Sequence, residues 1–217
     1  MFASLGGDRV PAETGMPLPR INFSDFSYGK DEQIFGENEP ADYVYQVTLG
    51  AVRSYKLLLD GRRQIGAFHL VGDIFGLETA AVHRFTAEAI VRTKVRLVKR
   101  QSLALIAEQD VLVVRDLLDT TTTTLQHAQD HMLLLGRKNA LERVAAFLLE
   151  MDKRLAIAGF FALPMNRRDI ADYLGLTLET VSRALHQLNA LGILEFLSCS
   201  HRQIVILDRE RLTNLGS

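Results

Sequence analysis

Glu179, Ser182 and Arg183 fall within about one helical turn of each other in residues 166–188, NRRDIADYLGLTLETVSRALHQL, and each brings a different hydrogen-bonding chemistry. The planar fork of Arg183 matches O6 and N7 of a guanine, Glu179 accepts from the amino group of a cytosine or adenine, and the Ser182 hydroxyl both donates and accepts. A good bidentate contact discriminates between bases by about 1–3 kcal/mol, whereas a Glu179–Arg183 pair on a solvated helix is worth only about 0.3–0.5 kcal/mol. The two uses are compatible, because the pair would also orient the arginine. Leu178 adds an apolar contact at the end of the same face, where it tolerates more than one base.

Two short helices must position these groups. Asn166 caps the first, with Asp169 at the third helical position and Met165 and Ile170 as a hydrophobic staple. Thr177 caps the second, and Leu176 and Val181 repeat the staple. Gly175 stands between the helices, where the chain turns sharply and a side chain would demand room. Ile170, Leu174, Val181, Leu185 and Leu188 fall on inward faces, which leaves Leu178, Glu179, Ser182, Arg183 and Gln187 outward. This is the pattern of a helix-turn-helix. Beyond it, Gly192 ends a helix, Ile193 to Leu197 start a strand, residues 198–202 form a polar turn and residues 203–207 a second strand, so the unit reads as a winged helix. His201 and Arg202 lie at the wing tip within reach of phosphate.

The formal net charge of −1 is uneven along the chain: residues 137–217 carry 11 basic and 9 acidic side chains, a net of +2. The excess suits phosphate contacts by Arg167, Arg168 and Arg202 without strong non-specific affinity, so binding must rest on base readout and on a dimer. The one cysteine, Cys199, excludes an internal disulfide and a cysteine-rich zinc or iron–sulfur site; in the wing turn it is a candidate for redox control. No phosphate loop, nucleophile elbow or metal triad is present, which argues against an enzyme. No apolar run approaches the roughly 20 residues of a membrane span and the N-terminus lacks a signal-peptide pattern, so the expected location is the cytoplasm, with no membrane partner.

Residues 1–20 hold three of the five prolines and no periodic apolar pattern, and read as a flexible arm. Short runs at 43–49, 52–59, 64–70, 87–91 and 95–98 follow, separated by turn signals at Asn38-Glu39-Pro40, Gly50, Asp60-Gly61 and Gly72-Asp73, as in a β-roll. From about Arg100 to Met151 the pattern is helical. Within it Val111, Val114, Leu118, Thr121, Leu125, Ala128, Met132 and Leu135 repeat at 3-4 spacing, the seam of a two-stranded coiled coil and hence of a homodimer. Neighbouring Leu117, Leu133 and Leu134 point to packing on the chain's own roll. Thr120 to Thr124 lower helix propensity and make a soft point, and Gly136-Arg137-Lys138-Asn139 reads as a hinge before a helix at 140–151.

The fold class is therefore α+β: an arm (1–20), an N-terminal β-roll (21–107), a long dimerisation helix (108–136) and a C-terminal winged helix-turn-helix (137–217). That order resembles the Crp/Fnr family of bacterial transcription regulators over residues 26–212. Glu179-Thr180-Val181-Ser182-Arg183 resembles the Fnr-type pattern Glu-x-x-Ser-Arg, which implies that Glu179, Ser182 and Arg183 read a TTGAT-type half-site. The resemblance places Arg167 and Thr180 on the DNA backbone, and we assign Thr177 and Arg202 there as well. Residues 1–100 lack the cysteines of an oxygen-labile cluster. Cyclic-nucleotide binders of the family use a Gly-Glu and an Arg-Ser pair, where this chain has Gly76-Leu77-Glu78 and Arg84-Phe85-Thr86, so Glu78 and Arg84 are read as structural. The segments IFGENEPADYVYQV, GDIFGLE and RFTAEAI resemble the FixK-like branch. This implies a homodimeric activator of the low-oxygen, nitrogen fixation or denitrification response, binding a palindromic promoter site in double-stranded DNA and contacting RNA polymerase, with no cofactor and no metal. The alternative is a ligand-gated regulator of the same fold that takes haem or a nitrogen oxide through His69, His83, His127 or His131.

Overall fold

The computed structural model describes residues 23–156, 159–198 and 201–216. The N-terminal arm and Cys199 lie outside the described residues. The chain divides into two compact units, one of the residues up to Lys56 with Ala67–Gln126, the other of Leu57–Gly66 with His127–Ser217.

The strands β1 (Ser24–Tyr28), β2 (Gln33–Phe35), β3 (Tyr43–Leu49), β4 (Val52–Leu57), β5 (Arg63–His69), β6 (Ile74–Phe75), β7 (Thr86–Ala89) and β8 (Thr93–Lys99) build two four-stranded sheets, in the orders β1-β8-β3-β6 and β2-β7-β4-β5; they lie in the first unit except for Leu57 and the start of β5, Arg63–Gly66, which belong to the second. All the register-defined pairings are antiparallel, so alternate residues face one core. Phe35, Tyr45, Val47, Val52, Phe75, Ala87 and Val95 from both sheets meet there. The β3–β4 corner needs Gly50: its φ is +85°, and a Cβ would stand 2.6 Å from the Arg92 carbonyl oxygen.

The helical stretch is not continuous from Arg100. Helix α1 (Arg100–Ala107) buries Leu103 and Ile106, and α2 (Val111–Arg137) starts anew where the Asp110 carboxylate accepts the Leu112 N–H at 2.9 Å. An acidic cap before an apolar run is a readable stop and start that the periodicity concealed. Val113 and Leu117 of α2 pack with Val44, Val98, Leu103 and Ile106. Leu117 therefore contacts the roll as expected; Leu133 is 60% exposed in the single chain. Along the predicted seam, Val111, Val114, Leu118, Thr121, Leu125, Ala128 and Met132 are exposed in the single chain, and Leu135 is half-buried. The threonine run stays helical, and the hydroxyls of Thr120, Thr121 and Thr124 each donate to the carbonyl four residues back at 2.8 Å.

In the second unit, α2 runs through Gly136 and breaks at Lys138-Asn139, where Asn139 and Glu142 form a capping box for α3 (Ala140–Leu155). This junction is pinned: the Arg143 guanidinium donates to the carbonyls of Leu135, Lys138 and Leu174, each at 2.9 Å. The segment read as a hinge is thus a helix break anchored by Arg143. Helices α4 (Arg167–Leu174) and α5 (Leu178–Ala190) follow, with a sheet ordered β10-β11-β9 from β9 (Phe160–Ala162), β10 (Leu194–Phe196) and β11 (Gln203–Ile206), and α6 (Arg209–Gly216) packed on α3. The wing strands match the expectation, whereas β9 and α6 are additional to it. Arg209 of α6 pairs with Asp152 of α3, which is only 4% exposed.

Candidate nucleic-acid interface

The caps fall where local sequence placed them. The Asn166 side chain accepts the Asp169 N–H at 2.9 Å, and Asp169 accepts the Asn166 N–H at 3.2 Å, closing a capping box at the start of α4. Gly175 ends α4 in the left-handed conformation at φ +62°, and the Leu176 N–H reaches the Ala171 carbonyl at 2.9 Å. A Cβ at Gly175 would meet no atom closer than 3.6 Å, so backbone conformation, and not lack of room, calls for glycine there. Thr177 then caps α5 by accepting the Thr180 N–H at 3.2 Å. Ile170, Leu174, Val181, Leu185 and Leu188 are all buried, which locks the roll angle of α5 about its axis.

The outward face of α5 carries Leu178, Glu179, Arg183 and Gln187 exposed, with Ser182 half-buried. At 13 residues the helix is about 20 Å long, and a major groove about 12 Å wide admits it. Glu179 is held below the usual carboxylate range by its own backbone N–H, then by the Thr177 hydroxyl, with Arg183 and Arg168 adding attraction from farther off. It is therefore ionised and a pure acceptor. Among the described residues no ion pair joins Glu179 to Arg183, so the alternative of a solvated pair is not formed and the Arg183 fork is left open.

Arg167 has a different place from a free phosphate ligand. Its Nη1 donates to Ser182 Oγ at 3.2 Å and its Nη2 to His201 Nδ1 at 3.1 Å, so it ties α4 to α5 and to the wing. The Ser182 oxygen accepts in this contact, which frees the hydroxyl hydrogen to donate to a base acceptor. Thr177 and Thr180 touch each other through their hydroxyls at 3.0 Å on the exposed first turn of α5. The Arg202 side chain is exposed, while its carbonyl takes the Leu163 N–H at 2.9 Å.

The sequence reading missed how α4 is held. Asp169 is fully buried, and Arg63 donates to it at 2.6 Å and to Asp172 at 2.9 Å. No local pattern marks a partner so distant in the chain.

Among the described residues His69, His83 and His131 are held by different neighbours. His69 shares a hydrogen bond with Ser54 at 2.8 Å, and His131 packs edge-on against Tyr173 at 4.0 Å, its pKa lowered by burial. His83 is wholly buried and stacked on Phe35 at 3.6 Å; burial lowers its pKa against the opposing pull of Glu78. Among the described residues no three His, Cys, Asp or Glu side chains could hold a metal ion together. Glu78 accepts the Arg84 N–H at 3.1 Å, so the acid read as structural spends an oxygen on its own loop.

With this geometry in hand, two family descriptions match the chain: a Crp-like helix-turn-helix domain over residues 142–215 and a cyclic nucleotide-binding domain over residues 25–110. The nitrogen fixation regulation protein FixK of Azorhizobium caulinodans is 43% identical over 195 residues, covering 88% of this chain and 78% of the relative. The chain belongs to the Crp/Fnr family, on its FixK-like branch. The transcriptional activatory protein AadR of Rhodopseudomonas palustris is 45% identical over 195 residues, 88% of this chain and 80% of the relative. The solved structure of FixK2 from Bradyrhizobium japonicum superposes with a TM-score of 0.87 at 66% identity, covering 91% of this chain and 98% of that one. This Crp/Fnr chain is thus a DNA-binding transcription regulator and not an enzyme. Among the described residues no helix is long and apolar enough to cross a membrane.

Proposed function

We propose that this regulator acts as a cytoplasmic homodimeric activator that reads a TTGAT-N4-ATCAA-like palindrome. The observation that carries this reading is the outward face of α5, where an ionised Glu179, an unpaired Arg183 fork and a Ser182 hydroxyl free to donate stand side by side. Glu179, Ser182 and Arg183 read base edges and Leu178 makes the outer apolar contact, while Arg167, Thr177, Thr180 and Arg202 hold the backbone. Residues 137–217 act as the DNA-binding domain. Dimerisation through the exposed seam of α2 would set the two recognition helices in successive major grooves about 34 Å apart. Promoter-bound dimers activate by contacting RNA polymerase, in the response to low oxygen, nitrogen fixation or denitrification.

The reading assigns no cyclic nucleotide or iron–sulfur cluster. Phe35, Tyr45, Phe75 and His83 occupy the interior of the roll, with neighbouring ring centroids 3.6–6.3 Å apart, which supports control without a bound effector.

Fluorescence anisotropy of a labelled TTGAT-N4-ATCAA duplex against a scrambled one, at one fixed salt concentration and without effector, tests the proposal. Specific binders exceed their own non-specific affinity by about 10³-fold or more, so a preference of that size is expected and equal affinities refute it.

A further inference from the structure

His201 sits at positive φ, +53°, in the wing turn, closed by its N–H donating to the Ser198 carbonyl at 2.9 Å. Its ring is fixed from three sides. Phe196 of β10 lies 4.7 Å away between centroids, His186 of α5 meets it edge-on at 5.9 Å, and Arg167 of α4 donates to its Nδ1 at 3.1 Å. His186 is itself oriented, with Nδ1 at 2.7 Å from the Ser182 carbonyl.

The Arg167 contact fixes which ring nitrogen accepts. A guanidinium has only donors, so Nδ1 must present its lone pair and the proton of the neutral imidazole sits on Nε2. Protonation at Nδ1 would aim a second N–H at the guanidinium and set two cations 3.1 Å apart. Among the described residues no carboxylate pairs with this ring: the groups facing it are Arg167, His186 and Phe196, with exposed Arg202 next in the chain. An anion placed between Arg167 and His201 reverses the balance. It attracts both cations, and Arg167 retains three further N–H donors for it after the bonds to Ser182 and His201.

We propose that His201 is a proton-linked phosphate ligand: on DNA it becomes imidazolium and shares one backbone phosphate with Arg167, so that forming the complex takes up a proton at each wing. The inference rests on the DNA-binding reading and adds to it a residue, a partner atom and a pH dependence. In free protein the neutral ring holds Arg167 as a hydrogen-bond acceptor. In the complex the phosphate oxygens replace that acceptor, and solvent supplies the proton to Nδ1.

The test is anisotropy with the full chain and the palindromic duplex at about pH 6, 7 and 8 and constant ionic strength, for the native chain, His201→Gln and His186→Gln. The native affinity is expected to rise at least about tenfold from pH 8 to pH 6, the rise to fall below about twofold in His201→Gln, and to persist in His186→Gln. The salt slope of His201→Gln should be shallower than native at about pH 6 and equal to it at about pH 8, which a merely structural role would not produce. A pH-independent native affinity, or a rise that survives His201→Gln, overturns the proton-linked ligand. Either result leaves the preference for the palindrome standing, so it is distinguishable from failure of the DNA-binding reading.

Discussion

Replacing Leu118 and Leu125 together by glutamate should split the dimer. In the single chain these side chains are 64% and 56% exposed, so more than half of each remains to be buried. Full burial of a leucine is worth about 1.5–3 kcal/mol, which leaves roughly 1–2 kcal/mol per side chain and roughly 4–8 kcal/mol over the four leucines of a dimer. At 1.4 kcal/mol per decade the dissociation constant should rise by about 10³ to nearly 10⁶, before the repulsion of four facing carboxylates is added. Sedimentation equilibrium reads the change, and far-UV circular dichroism checks that the helices persist. Gln126→Glu, which puts the same charge on the same helix one residue off the seam, is the control and should leave the dimer intact. A double variant whose dimer constant stays within about tenfold of native would refute α2 as the seam.

Arg183→Ala should lose about 1–3 kcal/mol on the palindrome and relax preference at one guanine; equal losses on random DNA in the same anisotropy assay would remove it from base readout. Arg63→Ala leaves Asp169 as a buried carboxylate with its cation gone, and urea unfolding followed by circular dichroism should show a loss of about 3–5 kcal/mol. A loss under about 1 kcal/mol would mean that Asp169 finds water or another donor. His83 is held neutral in the fold by burial, so its folded-state pKa lies below the ordinary 6.5. The unfolded chain then binds more protons, and the stability contributed is complete above about pH 6.5 and is lost as pH falls towards the folded-state value. Thermal melts between about pH 8 and pH 5 should show this slope in the native chain and a flatter one in His83→Leu; identical slopes would reject it.

What was legible in the sequence is what acts over three or four residues. Asn166 and Thr177 announce their helices because a cap bonds an N–H three positions on, and the buried face of α5 follows from its period. β3 was read to its exact limits since its apolar residues stand between clear turn signals. β1, β2, β6 and β9 were not, because segments of two to five residues carry too little alternation to separate from loop. The contacts that set the working geometry were beyond reach for another reason. Arg167 to His201, Arg143 to Leu174 and Arg63 to Asp169 join residues 34, 31 and 106 positions apart, and a long cation gives no local hint of which distant acceptor it will meet.

The threonines of α2 carry a consequence for the seam. Thr121 spends its hydroxyl hydrogen on the Leu117 carbonyl, so its methyl group is what it has left to offer a neighbouring helix. By shape it stands in for valine, the β-branched residue that two-stranded coiled coils favour at such positions. Within a stretch that composition alone scores as hydrophilic, the seam position between Leu118 and Leu125 is thus filled by a stiff, β-branched side chain whose donor is already spent on its own helix.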